Sequence, residues 1–366
     1  MPTSRFLWYD DGIMTATDSN ELKKLDPEDM LSRIHEVPWQ CQQAWQMAED
    51  FDLPGHYSDI NKVVVIGMGG SAIGGDLVSS LAAAEAKIPV IVYRGYDLPS
   101  FVDDDTLVIT SSYSGNTEET LSAFHQALQT GAKKLAITTG GKLKNIAAEN
   151  SVPVLIFNYH SQPRAALAFS FLPILCFLQK LGFISNKSAE VTGAVEVLLK
   201  LSDKIAETRP VKQNPARQLT EKLHGNLAVV YGAGLLSEVA HRWKTQINEN
   251  SKAWAFYEVF PELNHNAVVG YQFPPELAEK IVVVMLRSDL LAPPIQLRYK
   301  VTRQLLERAG VRYEFVDGEG TSPLSQLLSL VLFGDYVSYY LAILYRTDPT
   351  PVEAIDYLKE QLAQRG

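Results

Sequence analysis

Several things are scarce in this chain, and each scarcity narrows what it can be. Two cysteines in 366 residues, Cys41 and Cys176, are too few and too far apart for a disulfide framework or a metal-ligand spacing. That usage suits a reducing cytoplasm. Positive charge is in deficit: 33 lysines and arginines face 42 aspartates and glutamates, a formal net charge of −9. Nucleic acid is therefore a poor partner, although a local cationic pocket still suits a small anion. The opening, MPTSRFLWYDDG, lacks the apolar run of a signal peptide. The run AALAFSFLPILCFL at 165–178 is 14 residues long and interrupted by Ser170 and Pro173, whereas a membrane span needs about 20. It reads as a core helix or subunit contact, and no membrane segment is expected.

What is present is ordinary globular material, 46% hydrophobic and 20% charged, enough for roughly two domains of about 150 residues each. VVVIGMGGSAIGGDLVSSLAA (63–83) reads as strand, glycine-rich turn and helix. Further strands follow at IPVIVYRG (88–95), TLVIT (106–110), KKLAITTG (133–140) and VPVLIF (152–157), mostly separated by helical patterns. This alternation predicts an α/β unit with a parallel sheet. Helical material follows over roughly 165–225, ending near the polar section SDKIAETRPVKQNP (202–215). The domain junction is placed there, giving expected domains at 1–210 and 211–366. The second half partly repeats the first. NLAVVYGAG (226–234) is again strand plus glycine turn, KIVVVML (280–286) a second strand, PIQLRYKVTRQLLERAG a helix and VRYEFVD (311–317) a further strand. The chain reads as a duplicated fold.

The copies differ after the strand TLVIT. There the first half has SSYSGNTEET (111–120) and the second LRSDLLAPP, which keeps Ser288 alone. Four hydroxyls, Ser111, Ser112, Ser114 and Thr117, surround Gly115 at a strand-to-helix turn. A helix N-terminus offers unpaired N–H groups and partial positive charge to an anion. Hydroxyls add donors, and glycine lets backbone approach closely. The plainer reading is a helix cap by Asn116 or Thr117 with Glu118 and Glu119 at the positive end, but one residue would suffice for that. No GxxxxGK[ST] lysine is present, so a small phosphorylated molecule fits better than a nucleotide. The second motif, GMGGSAIGGD (67–76), places Gly67, Gly69 and Ala72 in a dinucleotide-type pattern. The next strand ends in Tyr93 and Arg94 rather than an acid, which would suit only a 2′-phosphate. Gly70 and Ser71 read better as a turn lying close to a sugar.

Together the two loops closely resemble the sugar isomerase (SIS) domain, and in particular the bifunctional phosphoglucose/phosphomannose isomerases. The resemblance continues through QPRAALAFSFLP (162–173), NENSK (248–252), PELNHN (261–266) and DPTPVEAIDYLKEQL (348–362), so it spans nearly the whole chain. It implies two SIS-type doubly wound domains, each a mainly parallel sheet flanked by helices. It also implies a cytoplasmic homodimer acting on a sugar phosphate, with no metal or redox cofactor. By resemblance, Ser112, Ser114 and Thr117 cradle the phosphate while Gly70 and Ser71 lie along the sugar. Arg164 steadies negative charge on the intermediate, Glu249 is the base, and His265 and Lys359 open the ring, the histidine arriving from the neighbouring subunit. Thr350 is implied to leave room for both C2 epimers.

Those roles suit the chemistry of aldose–ketose isomerisation. A carboxylate can take and return one proton where partial burial raises its pKa. A fixed guanidinium lowers the barrier to a developing enediolate, and an imidazole suits proton movement between ring oxygens near neutral pH. Taken singly, Glu249 reads as a solvated carboxylate, His265 as a turn residue, Arg164 as an ion-pair partner and Lys359 as surface. Two positions depart from the family pattern. Ala267 stands where an acid is expected after NHN, and Ala168 where glycine is expected. The rival readings are a non-catalytic SIS-type sugar-phosphate sensor, another SIS enzyme such as an amino-sugar or sedoheptulose 7-phosphate isomerase, and an NADP-dependent enzyme.

Overall fold

The computed structural model describes residues 22–364; the opening segment MPTSRFLWYDDG lies outside them. Helices α1 (Met30–His35) and α2 (Val37–Glu49) precede the first sheet, which is built from β1 (Lys62–Ile66), β2 (Val90–Tyr93), β3 (Thr106–Ser112), β4 (Lys133–Thr138) and β5 (Val154–Ile156). Between these strands run α3 (Gly69–Ala82), α4 (Glu118–Ala127) and α5 (Gly141–Glu149). Three helices follow: α6 (Leu167–Lys180), α7 (Ser188–Ile205) and α8 (Pro215–Leu223). The second sheet takes β6 (Leu227–Ala233), β7 (Ala255–Phe260), β8 (Ile281–Arg287) and β9 (Arg312–Asp317), interleaved with α9 (Ser237–Ser251), α10 (Pro275–Ala278) and α11 (Pro293–Ala309). Helices α12 (Pro323–Leu344) and α13 (Glu353–Ala363) close the chain.

Both sheets are parallel throughout, in the orders β2-β1-β3-β4-β5 and β7-β6-β8-β9. Matching β1 with β6, β2 with β7, β3 with β8 and β4 with β9 makes the two orders identical, apart from β5. This is the duplication suggested by the order of elements in the sequence. The central strands explain themselves: VVV in β1 and TLVITSS in β3 are buried throughout, as sheets covered on both faces require. The sequence reading omits β7. AFYEVF is an edge strand whose Phe256 and Tyr257 are exposed, so it lacks the continuous apolar run that marks its neighbours.

One hydrophobic core runs across both halves, from Leu77 and Phe171 through Leu198 to Trp243 and Tyr336. Helix α3 packs on α6 and also on α9, and α12 packs on α7, α8 and α9. The α3–α9 contact positions the site, because it sets the glycine turn against the helix that carries Glu249. The run at 165–178 is not the longest apolar helix. Helix α12 has 22 residues and is apolar enough to cross a membrane, yet 89% of its most apolar window is buried inside the protein. Its Leu330 carbonyl accepts a 2.8 Å hydrogen bond from the Trp243 indole. A Cβ on Gly334 would lie 2.3 Å from that indole nitrogen, so glycine is what admits the ring. Both cysteines are free and buried.

Candidate active site

The hydroxyl loop sits where β3 hands over to α4. Thr117 occupies the cap position of α4, but no side chain makes a capping hydrogen bond there. Its hydroxyl lies 3.2 Å from that of Ser112 instead. The plain capping role is thus not what these hydroxyls perform. The first turn of α4 presents backbone donors beside Ser112, Ser114 and Thr117, with the partial positive charge of a helix N-terminus. Gly115 has φ +65°, and a Cβ there would lie 1.9 Å from the Gly140 carbonyl oxygen. The loop is pinned to its neighbour by Leu143 N–H to Gly115 O (2.9 Å) and Lys142 N–H to Asn116 Oδ1 (3.1 Å). In the second half the corresponding Ser288 is buried and donates to Gln326 Oε1 at 2.5 Å. Its hydroxyl is already engaged in the fold.

The glycine turn links this loop to Arg164. Ser71 is buried and its hydroxyl accepts from Tyr113 N–H at 3.0 Å. Gly70 lies so close to the 163–164 segment that a Cβ would stand 2.8 Å from the Pro163 carbonyl oxygen. Arg164 therefore sits directly against the turn. Its side chain is only 3% exposed, and every nitrogen has a partner. Nε donates to Asn250 Oδ1 (2.7 Å), Nη2 to the Pro349 and Thr350 carbonyls (2.8 and 2.7 Å), and Nη1 to Glu249 Oε2 (3.4 Å). Burial, and then the charge of Arg242, pull the guanidinium below its ordinary pKa, while Glu249 opposes them. From so high a starting value arginine stays a cation. Glu249, 27% exposed at its side chain, faces a cleft lined by Gly69, Gly70, Arg164, Thr245, Gln246 and Glu249, among others. The lining residues of α9 fall at helical spacing on one face. A buried fixed cation beside a partly exposed carboxylate can stabilise an oxyanion and move a proton next to it.

Residues 56–181 match the SIS domain, and residues 212–362 match the bacterial phospho-glucose isomerase C-terminal SIS domain. The bifunctional phosphoglucose/phosphomannose isomerase of Caldicellulosiruptor bescii is 43% identical over 92% of this chain and 99% of its own. That of Aquifex aeolicus is 36% identical over 89% of this chain and all of its own. The chain belongs to the bifunctional phosphoglucose/phosphomannose isomerase family. A hypothetical protein of known structure from Thermus thermophilus shares the fold, with a TM-score of 0.71 at 16% identity over 95% of this chain and 94% of that one.

Against the family's expected residue set, the monomer assembles one part and leaves another apart. Gly70, Arg164, Glu249 and Thr350 meet through the contacts just given. Thr350 is 2% exposed, and its hydroxyl oxygen is buried without a hydrogen-bond partner. His265 ends the short helical turn Glu262–His265 and is exposed outside that cleft lining. Lys359 lies on α13, where its nearest carboxylate is Asp356 on the same helix at 3.7 Å and its side chain is 72% exposed. Arg94, the residue a 2′-phosphate would need, also lines the cleft and is paired with Asp76. Beside it, ligand atoms of Asp76, Glu238 and His241 lie within 4.8 Å of one another.

Sequence reasoning missed the groups that fix Arg164. Asn250 is fully buried and links the arginine to Ser338 Oγ (3.0 Å) on α12. Arg242 donates to Asp335 at 2.9 Å and to the Arg164 carbonyl at 3.1 Å. Desolvation raises the Asp335 carboxyl while Arg242 opposes it. Only the NENSK segment itself carried a signal for any of these.

Proposed function

We propose that the chain interconverts glucose 6-phosphate and mannose 6-phosphate with fructose 6-phosphate, by ring opening and proton transfer between C1 and C2 through a cis-enediolate. The observation that carries this reading is the Arg164–Glu249 pair, joined through the Gly70–Ser71 turn to a helix N-terminus that no side chain caps. The phosphate docks at Ser112, Ser114, Thr117 and the first turn of α4, so binding energy at the non-reacting end holds C1 and C2 against Glu249. Glu249 takes and returns the proton. Arg164 stays put and stabilises the enediolate, and because its partners hold it before substrate arrives, it needs no reorganisation when charge develops. Glucose and mannose 6-phosphates differ only at C2 and share one enediolate, so a base reaching both faces serves both. Thr350, whose backbone carbonyl accepts from Arg164 Nη2, is assigned to the pocket wall that leaves room for both C2 epimers.

His265 and Lys359 are assigned to ring opening. Their exposure outside the cleft of a single chain supports a homodimer in which His265 completes the neighbour's site. The division at 210/211 and a cytoplasmic setting belong to the same reading. Helix α7, on the first side of that division, nevertheless packs on α12 of the second. The test is fructose 6-phosphate formation from each aldose phosphate, with glucosamine 6-phosphate and sedoheptulose 7-phosphate as comparison substrates. Turnover of both hexose phosphates is expected. Binding without turnover of any of them would make the chain a sugar-phosphate sensor.

A further inference from the structure

Three residues beyond Glu249, Lys252 ends α9 in the left-handed backbone conformation, φ 53°. Glycine is the usual residue for such a helix end, so the lysine calls for a reason in its side chain. Its ammonium donates to the Glu249 carbonyl at 2.6 Å, the Pro349 carbonyl at 3.0 Å and, more distantly, the Asn250 carbonyl at 3.4 Å. A cation at a helix C-terminus is favourable against the exposed carbonyl ends. The Pro349 carbonyl also accepts from Arg164 Nη2. A closed circuit results, from the Glu249 backbone through Lys252 to Pro349, on to Arg164, and back to the Glu249 carboxylate.

We propose that Lys252 is a positioning residue for the isomerisation: its ammonium fastens the last turn of α9 to the Pro349–Thr350 segment and so holds the Glu249 carboxylate against the Arg164 guanidinium. This rests on the reading of Glu249 as the proton carrier. The charged groups facing Lys252 are Arg164 from the 163–165 turn, Asp348 from the segment after α12, Glu353 from α13, and Glu249 from its own helix. Desolvation and then the Arg164 charge push the ammonium down to about 8, with the three carboxylates opposing. The charged clamp is therefore complete below about pH 8 and weakens above it.

The test compares Lys252→Met, Lys252→Arg and Glu249→Gln with the unaltered protein, measuring kcat and KM for fructose 6-phosphate from pH 6 to 10 alongside the thermal midpoint. Lys252→Met is expected to lower kcat at pH 7 by about tenfold or more, with KM changed less than about threefold, because the phosphate loop is untouched. Lys252→Arg keeps its charge throughout this range. It is expected to recover much of that loss and to carry the alkaline fall of kcat upward by at least about one pH unit. A residue that merely supported the fold would lower the thermal midpoint and leave the alkaline limb where it was. An unmoved limb in Lys252→Arg overturns the proposal, and so does unaltered kcat in Lys252→Met. If Lys252→Met does not fold, the limb in Lys252→Arg decides alone. Retained turnover in Glu249→Gln would instead remove the reading of the site on which the proposal rests.

Discussion

Replacing Asn250 separates the two things the arginine anchor does. The Asn250 side chain is fully buried, accepts from Arg164 Nε at 2.7 Å and donates to Ser338 Oγ at 3.0 Å. Asn250→Ala removes one hydrogen bond to a charged group, worth about 1.5–3 kcal/mol, and one neutral bond worth about 1 kcal/mol. The expected loss of stability is about 3 kcal/mol, on the order of a hundredfold in the folded-to-unfolded ratio. Arg164 keeps its two carbonyl partners on Nη2 and so stays in the cleft, but its Nε loses the group that orients it. Fold and arginine are thus weakened together, and kcat falls with stability. Asn250→Asp behaves differently. A carboxylate at that position still accepts from Arg164 but can no longer donate to Ser338 Oγ and is itself a buried charge, so part of the stability is lost here too. It also neutralises the cation that an enediolate needs, and kcat falls further than in Asn250→Ala at comparable stability. Urea denaturation and steady-state turnover of glucose 6-phosphate measure both. If Asn250→Asp matched the unaltered protein in kcat, Arg164 would not be acting through its charge, and the reasoning would fail.

Three further expectations follow from particular residues. Gly115→Ala puts a Cβ against the Gly140 carbonyl at a backbone angle that disfavours side chains, so fructose 6-phosphate should lose most of its stabilising effect in a thermal-shift assay; an unchanged shift would mean the phosphate docks elsewhere. Burial pushes the thiols of Cys41 and Cys176 up to about 12. Raising a thiol's pKa keeps it protonated and unreactive, so iodoacetamide at pH 8 should label neither in the folded protein and both after unfolding; rapid labelling of the folded form would contradict the burial. Mixing inactive Glu249→Gln and His265→Ala proteins under conditions of demonstrated subunit exchange should restore part of the activity, and no recovery would refute a shared site.

How far the sequence alone reached depended on the range of the interaction. Strands β1 and β3 announced themselves because β-branched runs buried on both faces leave an unmistakable pattern. The hydroxyl loop did so because four donors around Gly115 exceed what a helix cap needs. Arg164 and Glu249 were legible only through resemblance, since an arginine before an apolar helix and a glutamate in a polar one carry no local signal. Asn250 was marked only by lying in NENSK, and Arg242 and Asp335 were not legible: the Arg242–Asp335 pair joins residues 93 positions apart, and nothing local marks an aspartate inside the apolar helix α12 as a partner. Asp76, Glu238 and His241 likewise come together only in three dimensions. Edge strand β7 escaped because exposed Phe256 and Tyr257 break the buried-strand pattern.

The division of labour between a binding loop and a reacting carboxylate is the core of this account, and Glu249→Gln tests it most directly. Equilibrium binding of fructose 6-phosphate and turnover of glucose and mannose 6-phosphates would be measured on the same preparation. Since the Ser112–Thr117 loop is untouched, binding should stay within about threefold, while kcat for both aldoses falls by orders of magnitude as the proton loses its carrier. Substantial turnover of either aldose by Glu249→Gln would contradict the assignment, because a carboxamide cannot take and return that proton.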